Sequence, residues 1–270
     1  MGVVVPELLL KILYPPPPSL FISAMSVISF ASLANAGFME IKGKHMKYSK
    51  FANLSSDKNH PKLVSGKTGM LIAYTPALLA GLASFTLLLP IEEGLRFQML
   101  QSALTIHFFK RVIEVLCIHR YSGGMEIDTA IPISISYFLS TVTLIYTQHL
   151  TNGHPEPSID LKFVGLALFF IGIIGNFYHH FLLSRLRSPG EKQYKIPRGG
   201  MFDLVICPHY LFEILGFVGV TCISQTVYAL AFTLGTACYL SGRSLATREW
   251  YKSKFDDFPE NTKALIPFIF

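Results

Sequence analysis

The chain has 270 residues, of which 51% are hydrophobic and only 15% charged; a soluble globular domain carries about 25% charged residues. That deficit argues against an ordinary water-soluble domain and for lipid around much of the surface. The formal net charge of +6 would suit nucleic acid, but the placement of the cations along the chain argues for a membrane instead.

A helix that spans a bilayer needs roughly 20 mostly apolar residues. Seven segments qualify as candidates: 19–37, 69–90, 98–117, 129–150, 161–183, 204–222 and 225–242. Pro15 to Pro18 form a short stiff lead into the first segment. Ala34-Asn35-Ala36 at its end resembles a signal-peptidase site, so cleavage there is the rival reading of this segment. The third segment is the least apolar, because His107, Lys110 and Arg111 sit inside it. The last two are parted only by a polar break at Ser224-Gln225.

The cations fit seven crossings. Stretches 38–68, 110–128, 184–203 and 243–270 hold seven, three, five and five Lys and Arg, which is 20 of the 23 in the chain. Seven crossings put all four stretches on one side, and the positive-inside rule makes that side cytosolic, with the carboxyl terminus there. The expected fold is therefore an all-α integral membrane protein, one membrane domain over 1–270 built as a bundle of seven transmembrane helices, with no nucleic-acid partner.

Cys117, Cys207, Cys222 and Cys238 lie in or beside apolar stretches without a CxxC pair, so neither a disulfide framework nor a zinc site is expected. His179 and His180 are adjacent and point about 100° apart on a helix, which does not chelate a metal as an i, i+4 pair does. No HExxH, P-loop or GxGxxG is present. What remains is a set of ionisable groups near the predicted cytosolic ends of the spans. It comprises His107, Lys110, Arg111, Glu114, His119 and Arg120; Asn176, Tyr178, His179, His180, Arg185 and Arg187; His209, Tyr210 and Glu213; and Arg243, Arg248 and Tyr251. Each basic residue alone reads as a side chain snorkelling to headgroups. The set, with Asn176 and Glu213 in it, reads as a site for a phosphorylated ligand.

Residues 187–202, Arg-Ser-Pro-Gly-Glu-Lys-Gln-Tyr-Lys-Ile-Pro-Arg-Gly-Gly-Met-Phe, resemble the RxPGE…YxIPxGGxF signature of the steroid 5-alpha-reductase family. Cys207-Pro-His-Tyr-Leu-Phe-Glu213 is similar to its CPNYxxE segment, and 250–270, ending Ile-Pro-Phe-Ile-Phe, to its FxDYPxxRKAxIPFxF tail. The resemblance covers 98–270. It implies a seven-span enzyme of the endoplasmic reticulum that uses NADPH to reduce a carbon–carbon double bond conjugated to a carbonyl in a lipid. The family's branches act on 3-oxo-Δ4 steroids, polyprenols and very-long-chain trans-2-enoyl-CoA.

Carried over by position, the cofactor contacts implied by the resemblance are Arg111, Asn176, Arg187, Tyr194, His209, Glu213, Arg243 and Tyr251. The sequence departs from the steroid reductases at His119, His180 and His209, where they have Asn, Asp and Asn. It departs again where their substrate-holding Glu and Tyr stand, reading Tyr74-Thr75-Pro76 and His107-Phe108-Phe109-Lys110-Arg111. Tyr74 is then the candidate donor to the substrate carbonyl, with His107 second, since a phenol donates readily. Residues 107–125 look closer to the enoyl-CoA reductase branch and the tail closer to the steroid branch. A 3-oxo-Δ4 steroid is the first expected substrate and a very-long-chain enoyl-CoA the alternative. A non-catalytic lipid-binding or transport protein is the reading of another class. No metal is expected.

Overall fold

The computed structural model describes residues 9, 11–51, 63–87, 94–121, 123–188, 191 and 193–270. Among these residues seven long helices follow one another: α1 Leu20–Ile41, α2 Gly66–Leu87, α3 Leu95–Ile113, α4 Ile127–His149, α5 Lys162–Arg185, α6 Pro208–Ser224 and α7 Val227–Lys254. Each answers one of the seven apolar segments. Residues 88–90 of the second segment lie outside the described residues. The last segment, expected to stop at 242, runs on to Lys254. Hydropathy ends there because Arg243, Arg248, Glu249 and Lys252 follow, but those residues are good helix formers and carry the helix on.

Local chemistry sets the boundaries. The Ser19 side chain caps α1 by accepting from the Ile22 amide, and Thr226 caps α7 by accepting from Ala229. Pro208 opens α6, where a missing N–H costs nothing. The expected break between the last two segments is a tight turn in which Gln225 takes a left-handed backbone, φ 50°.

Helices pair mainly as α5 with α6, α1 with α7, and α2 with α4. Small residues let the first two pairs close. A Cβ on Gly242 would fall 2.1 Å from the Gly37 carbonyl oxygen, and one on Gly172 2.4 Å from the Gly216 amide. Packing of this kind replaces the hydrophobic drive that is absent between helices in lipid. Ala34-Asn35-Ala36 lies inside α1, in the helix that packs on α7. The core gathers Phe97, Leu100, Leu104, Phe169, Phe217 and Tyr228. Outside it, Leu20, Val27 and Ile28 on α1 and Phe163 and Ile174 on α5 are more than half exposed, a surface suited to acyl chains.

Four helices, α1, α2, α4 and α5, are long and apolar enough by themselves to cross a membrane. The other three depart for physical reasons: α3 carries Arg96, His107, Lys110 and Arg111, α6 has 17 residues, and α7 is cationic in its last third. One further difference from the all-helical expectation is a two-stranded antiparallel ribbon, β1 Leu63–Ser65 and β2 Gly124–Glu126. Three-residue strands are too short to show alternation in sequence. The ribbon ties the lysine-rich loop to the segment after α3.

At the opposite end of the bundle Arg96 is 3% exposed. It donates to Glu156, to Asp160 at 2.6 Å, to the Ile223 carbonyl at 2.6 Å and to Gln225 Oε1 at 2.8 Å. The Tyr14 amide donates to the Gln225 carbonyl at 2.8 Å. The lead-in, the 151–161 loop and the α6–α7 turn are thus held on one guanidinium.

Candidate functional site

The ribbon end of the bundle holds a cavity of about 240 Å³ whose wall is supplied by α2 to α7 and by the loops around residues 48–50 and 187–197. Seven of the ten candidate cofactor and catalytic residues share this wall: Tyr74, Arg111, Arg187, Tyr194, His209, Glu213 and Tyr251. They come from α2, α3, the loop after α5, α6 and α7, so only the tertiary fold brings them together.

The centre of the arrangement is Glu114, fully buried in a π-turn, Glu114–Ile118, that continues α3. The irregular turn carries Glu114 back against its own helix. Lys110 Nζ lies 3.0 Å and Arg111 Nη1 3.1 Å from its carboxylate, and His180 Nδ1 of α5 lies 3.0 Å away. Arg111 is thereby aimed at α2, where its Nη2 donates to the Tyr74 hydroxyl. Its guanidinium also lies over the Tyr74 ring, 4.7 Å from the centroid. A phenol that accepts from a cation keeps its own proton free to donate in a hydrogen bond.

Asn176, 3% exposed, is not on the wall. Its Nδ2 donates to the His209 carbonyl at 2.7 Å and its Oδ1 accepts from Lys110. It therefore fixes the start of α6 and the cation next to Arg111. Arg243 is also off the wall: it donates to Glu40 at 2.7 Å and to the Met46 carbonyl at 3.3 Å, and it is 1% exposed. Its guanidinium stacks over Tyr48 and Phe51 at 4.3 and 4.2 Å, so it anchors the 46–51 loop that reaches the cavity. His107 is packed between Phe108 and Phe217, at 4.9 and 5.0 Å between rings, and the cavity wall does not include it.

Three buried polar atoms on wall residues have no hydrogen-bond partner among the described residues: Arg111 Nε, Arg187 Nη1 and His209 Nδ1. Orphaned buried donors are rare in native proteins and call for a ligand that is not part of the chain. Two arginines and a further lysine make that ligand anionic. The nearby Tyr194, Trp250 and Tyr251 rings, with Arg187 5.1 Å over Tyr194, offer flat faces of the kind a nucleotide stacks on. A phosphorylated dinucleotide fits this donor set.

The lysine is Lys50, which sequence reasoning missed. It lies among the Phe51, Trp250 and Tyr251 rings, 5.3 to 5.8 Å from their centroids, and makes no ion pair among the described residues. Burial pushes its pKa down to about 8. Nothing in the sequence separates it from the other six lysines of its loop. Tyr137, also on the wall, was missed as well, since an aromatic in an apolar span reads as packing; Tyr210, singled out beside His209 and Glu213, lines the wall too.

Glu114, His119 and His180 present ligand atoms within 4.8 Å of one another, close enough for a metal ion. Arg111 and Lys110 already neutralise Glu114 there, and a dication would have to join two cations in a buried site. Burial and the Arg111 charge push His119 down to about 4, so it adds no further positive charge at neutral pH. The cluster works as an ion-pair hub that orients Arg111. His179 and His180 part as expected: His179 Nδ1 donates to the Gly175 carbonyl at 2.7 Å, while His180 goes to Glu114.

The family model described as 3-oxo-5-alpha-steroid 4-dehydrogenase matches residues 133–270. The chain belongs to this family. Among curated proteins it is 32% identical over 169 residues to the very-long-chain enoyl-CoA reductase of Dictyostelium discoideum, covering 61% of this chain and 55% of that one. It is 40% identical over 126 residues to human 3-oxo-5-alpha-steroid 4-dehydrogenase 1, covering 46% and 49%. It is 32% identical over 182 residues to a steroid 5-alpha-reductase of Gossypium hirsutum, covering 64% and 70%. The chain spans about half the length of the first two of these relatives.

Proposed function

We propose that the protein is an integral membrane reductase that uses NADPH to saturate a carbon–carbon double bond conjugated to a carbonyl in a lipid. The observation that carries this reading is the Arg111–Tyr74 pair: a phenol that accepts from a guanidinium on the wall of a cavity that also carries the orphaned polar atoms of Arg111, Arg187 and His209. When bound, NADPH supplies the reducing equivalent to the β-carbon. The chain's own residues do the rest. Arg111, Arg187, His209 and Lys50 bind the cofactor's phosphates, Tyr194 and Tyr251 stack on its flat groups, and Glu213 with Asn176 holds the start of α6 in place. Tyr74 donates to the substrate carbonyl and stabilises the negative charge that develops on oxygen; a proton from solvent then reaches the α-carbon and completes the saturation.

The first substrate class is a 3-oxo-Δ4 steroid, consistent with the family. A very-long-chain enoyl-CoA is the second reading, favoured by the similarity to the Dictyostelium protein over a longer stretch of the chain than the human enzyme. Titration with NADPH checks the cofactor assignment. Arg187→Ala should weaken binding by about 1.5–3 kcal/mol through loss of a charge-assisted bond. Affinity should also fall as pH rises from 7 to 9, because Lys50 loses its proton near 8. The cofactor's phosphates are already ionised over that range, and arginines keep their charge. Lys50→Met should remove that pH dependence. Unchanged affinity in Arg187→Ala would contradict the assignment.

The proposed topology has seven crossings in an endoplasmic-reticulum membrane, with the ribbon, the cavity mouth and the carboxyl terminus in the cytosol. Glycosylation acceptors inserted in the 151–160 loop should then be modified and acceptors in the tail should not. The reverse pattern would overturn the topology.

A further inference from the structure

We propose that Tyr137 is a second catalytic hydroxyl that shares the substrate carbonyl oxygen with Tyr74. This inference rests on the reading of the site as a reductase of conjugated carbonyl lipids. Tyr137 stands on α4, in contact with α2, and both helices line the same part of the cavity. Its ring centroid is 5.5 Å from that of Tyr74 and 5.5 Å from that of Phe108. Tyr74 and Tyr137 line the cavity with Met70, one turn from Tyr74 on α2, and Phe108 packs behind them. Phe108 is 2% exposed and offers no polar atom.

The two phenols differ in what their hydroxyls already do. Tyr74 accepts from Arg111 and keeps one proton to give. The Tyr137 hydroxyl makes no hydrogen bond among the described residues, although Tyr137 lines the cavity and its helix backbone is in order, its carbonyl accepting from Thr141 at 2.8 Å. A hydroxyl on the cavity wall that is not committed to the chain is free to donate to a bound ligand. A carbonyl oxygen has two lone pairs, so two neighbouring phenols can each donate to it. As electron density moves from the double bond to that oxygen, both hydrogen bonds strengthen, which is what lowers the barrier. Tyr137 lacks a cation at its oxygen, so it is the weaker donor. Neither phenol needs to lose its proton in this step.

The test compares wild type, Tyr137→Phe, Tyr74→Phe and the double variant, purified in detergent. Turnover is measured with NADPH on a 3-oxo-Δ4 steroid and on a long-chain trans-2-enoyl-CoA. The carbonyl stretch of each substrate, carbon-13-labelled at the carbonyl, is recorded by difference infrared spectroscopy with oxidised cofactor bound. Tyr137→Phe should retain its melting temperature and NADPH affinity, lower kcat ~10–100-fold, and move the carbonyl band toward its position in an apolar solvent. Wild-type turnover in Tyr137→Phe, with Tyr74→Phe impaired, would overturn the proposal and leave the reductase reading intact. A slowed Tyr137→Phe with an unmoved band would overturn it too, because Tyr137 would then act through packing. Absence of turnover in wild type on both substrates would remove the reductase reading itself and the proposal with it.

Discussion

Tyr74→Phe should lower turnover by about 10²–10³-fold, the loss found when one donor to a developing oxyanion is removed. The substitution deletes one oxygen from a ring that is 5% exposed and packed on Tyr137 at 5.5 Å. The ring stays, so the fold should stay. Arg111 loses its acceptor on α2 but keeps Glu114 at 3.1 Å and remains charged on the cavity wall. NADPH affinity should therefore be close to that of wild type, and the whole effect should lie in kcat. Steady-state kinetics beside a cofactor titration checks this. Equal losses in turnover and cofactor affinity would mean that the hydroxyl serves to hold Arg111 rather than to touch substrate.

Glu40→Ala should destabilise the protein by about 3–5 kcal/mol, the cost of leaving one partner of a buried ion pair uncompensated. Glu40 and Arg243 are each 1% exposed and meet at 2.7 Å, joining α1 to α7. The Glu40 carboxylate also accepts from the Met46 amide at 3.0 Å and lies 2.7 Å from His45 Nδ1. Removing it frees both the helix pair and the loop that carries Lys50 to the cavity. The stacking of Arg243 on Tyr48 and Phe51 survives, which favours the lower end of the range. A double variant, Glu40→Leu with Arg243→Met, should recover much of the loss, because an apolar pair leaves no charge buried. Thermal unfolding in detergent measures both. A single variant as stable as wild type would mean that the pair is dispensable.

Helices were legible in the sequence because a membrane demands long apolar runs, and all seven runs became helices. Their classification was harder. A span that must also build a polar site, as α3 does with Arg111 and α7 with Arg243, loses the hydropathy that would mark it. The paired glycines at 37 and 242 and at 172 and 216 carry no periodic signal, so the helix partners were not legible. Motif resemblance led to seven residues that line one cavity. It could not separate those from Asn176 and Arg243, which are the same polar types but act one layer back, holding Lys110 and the 46–51 loop. Tyr137 and Lys50 were missed because their significance lies in what surrounds them: an unpartnered hydroxyl in one case and a lysine among three aromatic rings in the other.

A single turnover measurement tests the proposed reaction most directly. Purified protein in detergent is incubated with NADPH and, separately, a 3-oxo-Δ4 steroid and a very-long-chain trans-2-enoyl-CoA, and the lipids are followed by mass spectrometry. The expected result is NADPH-dependent formation of one saturated product, heavier than its substrate by two hydrogens, at a rate that Tyr74→Phe nearly abolishes. Tight NADPH binding with neither lipid reduced would contradict the proposed reaction, and the absence of NADPH binding would contradict the site.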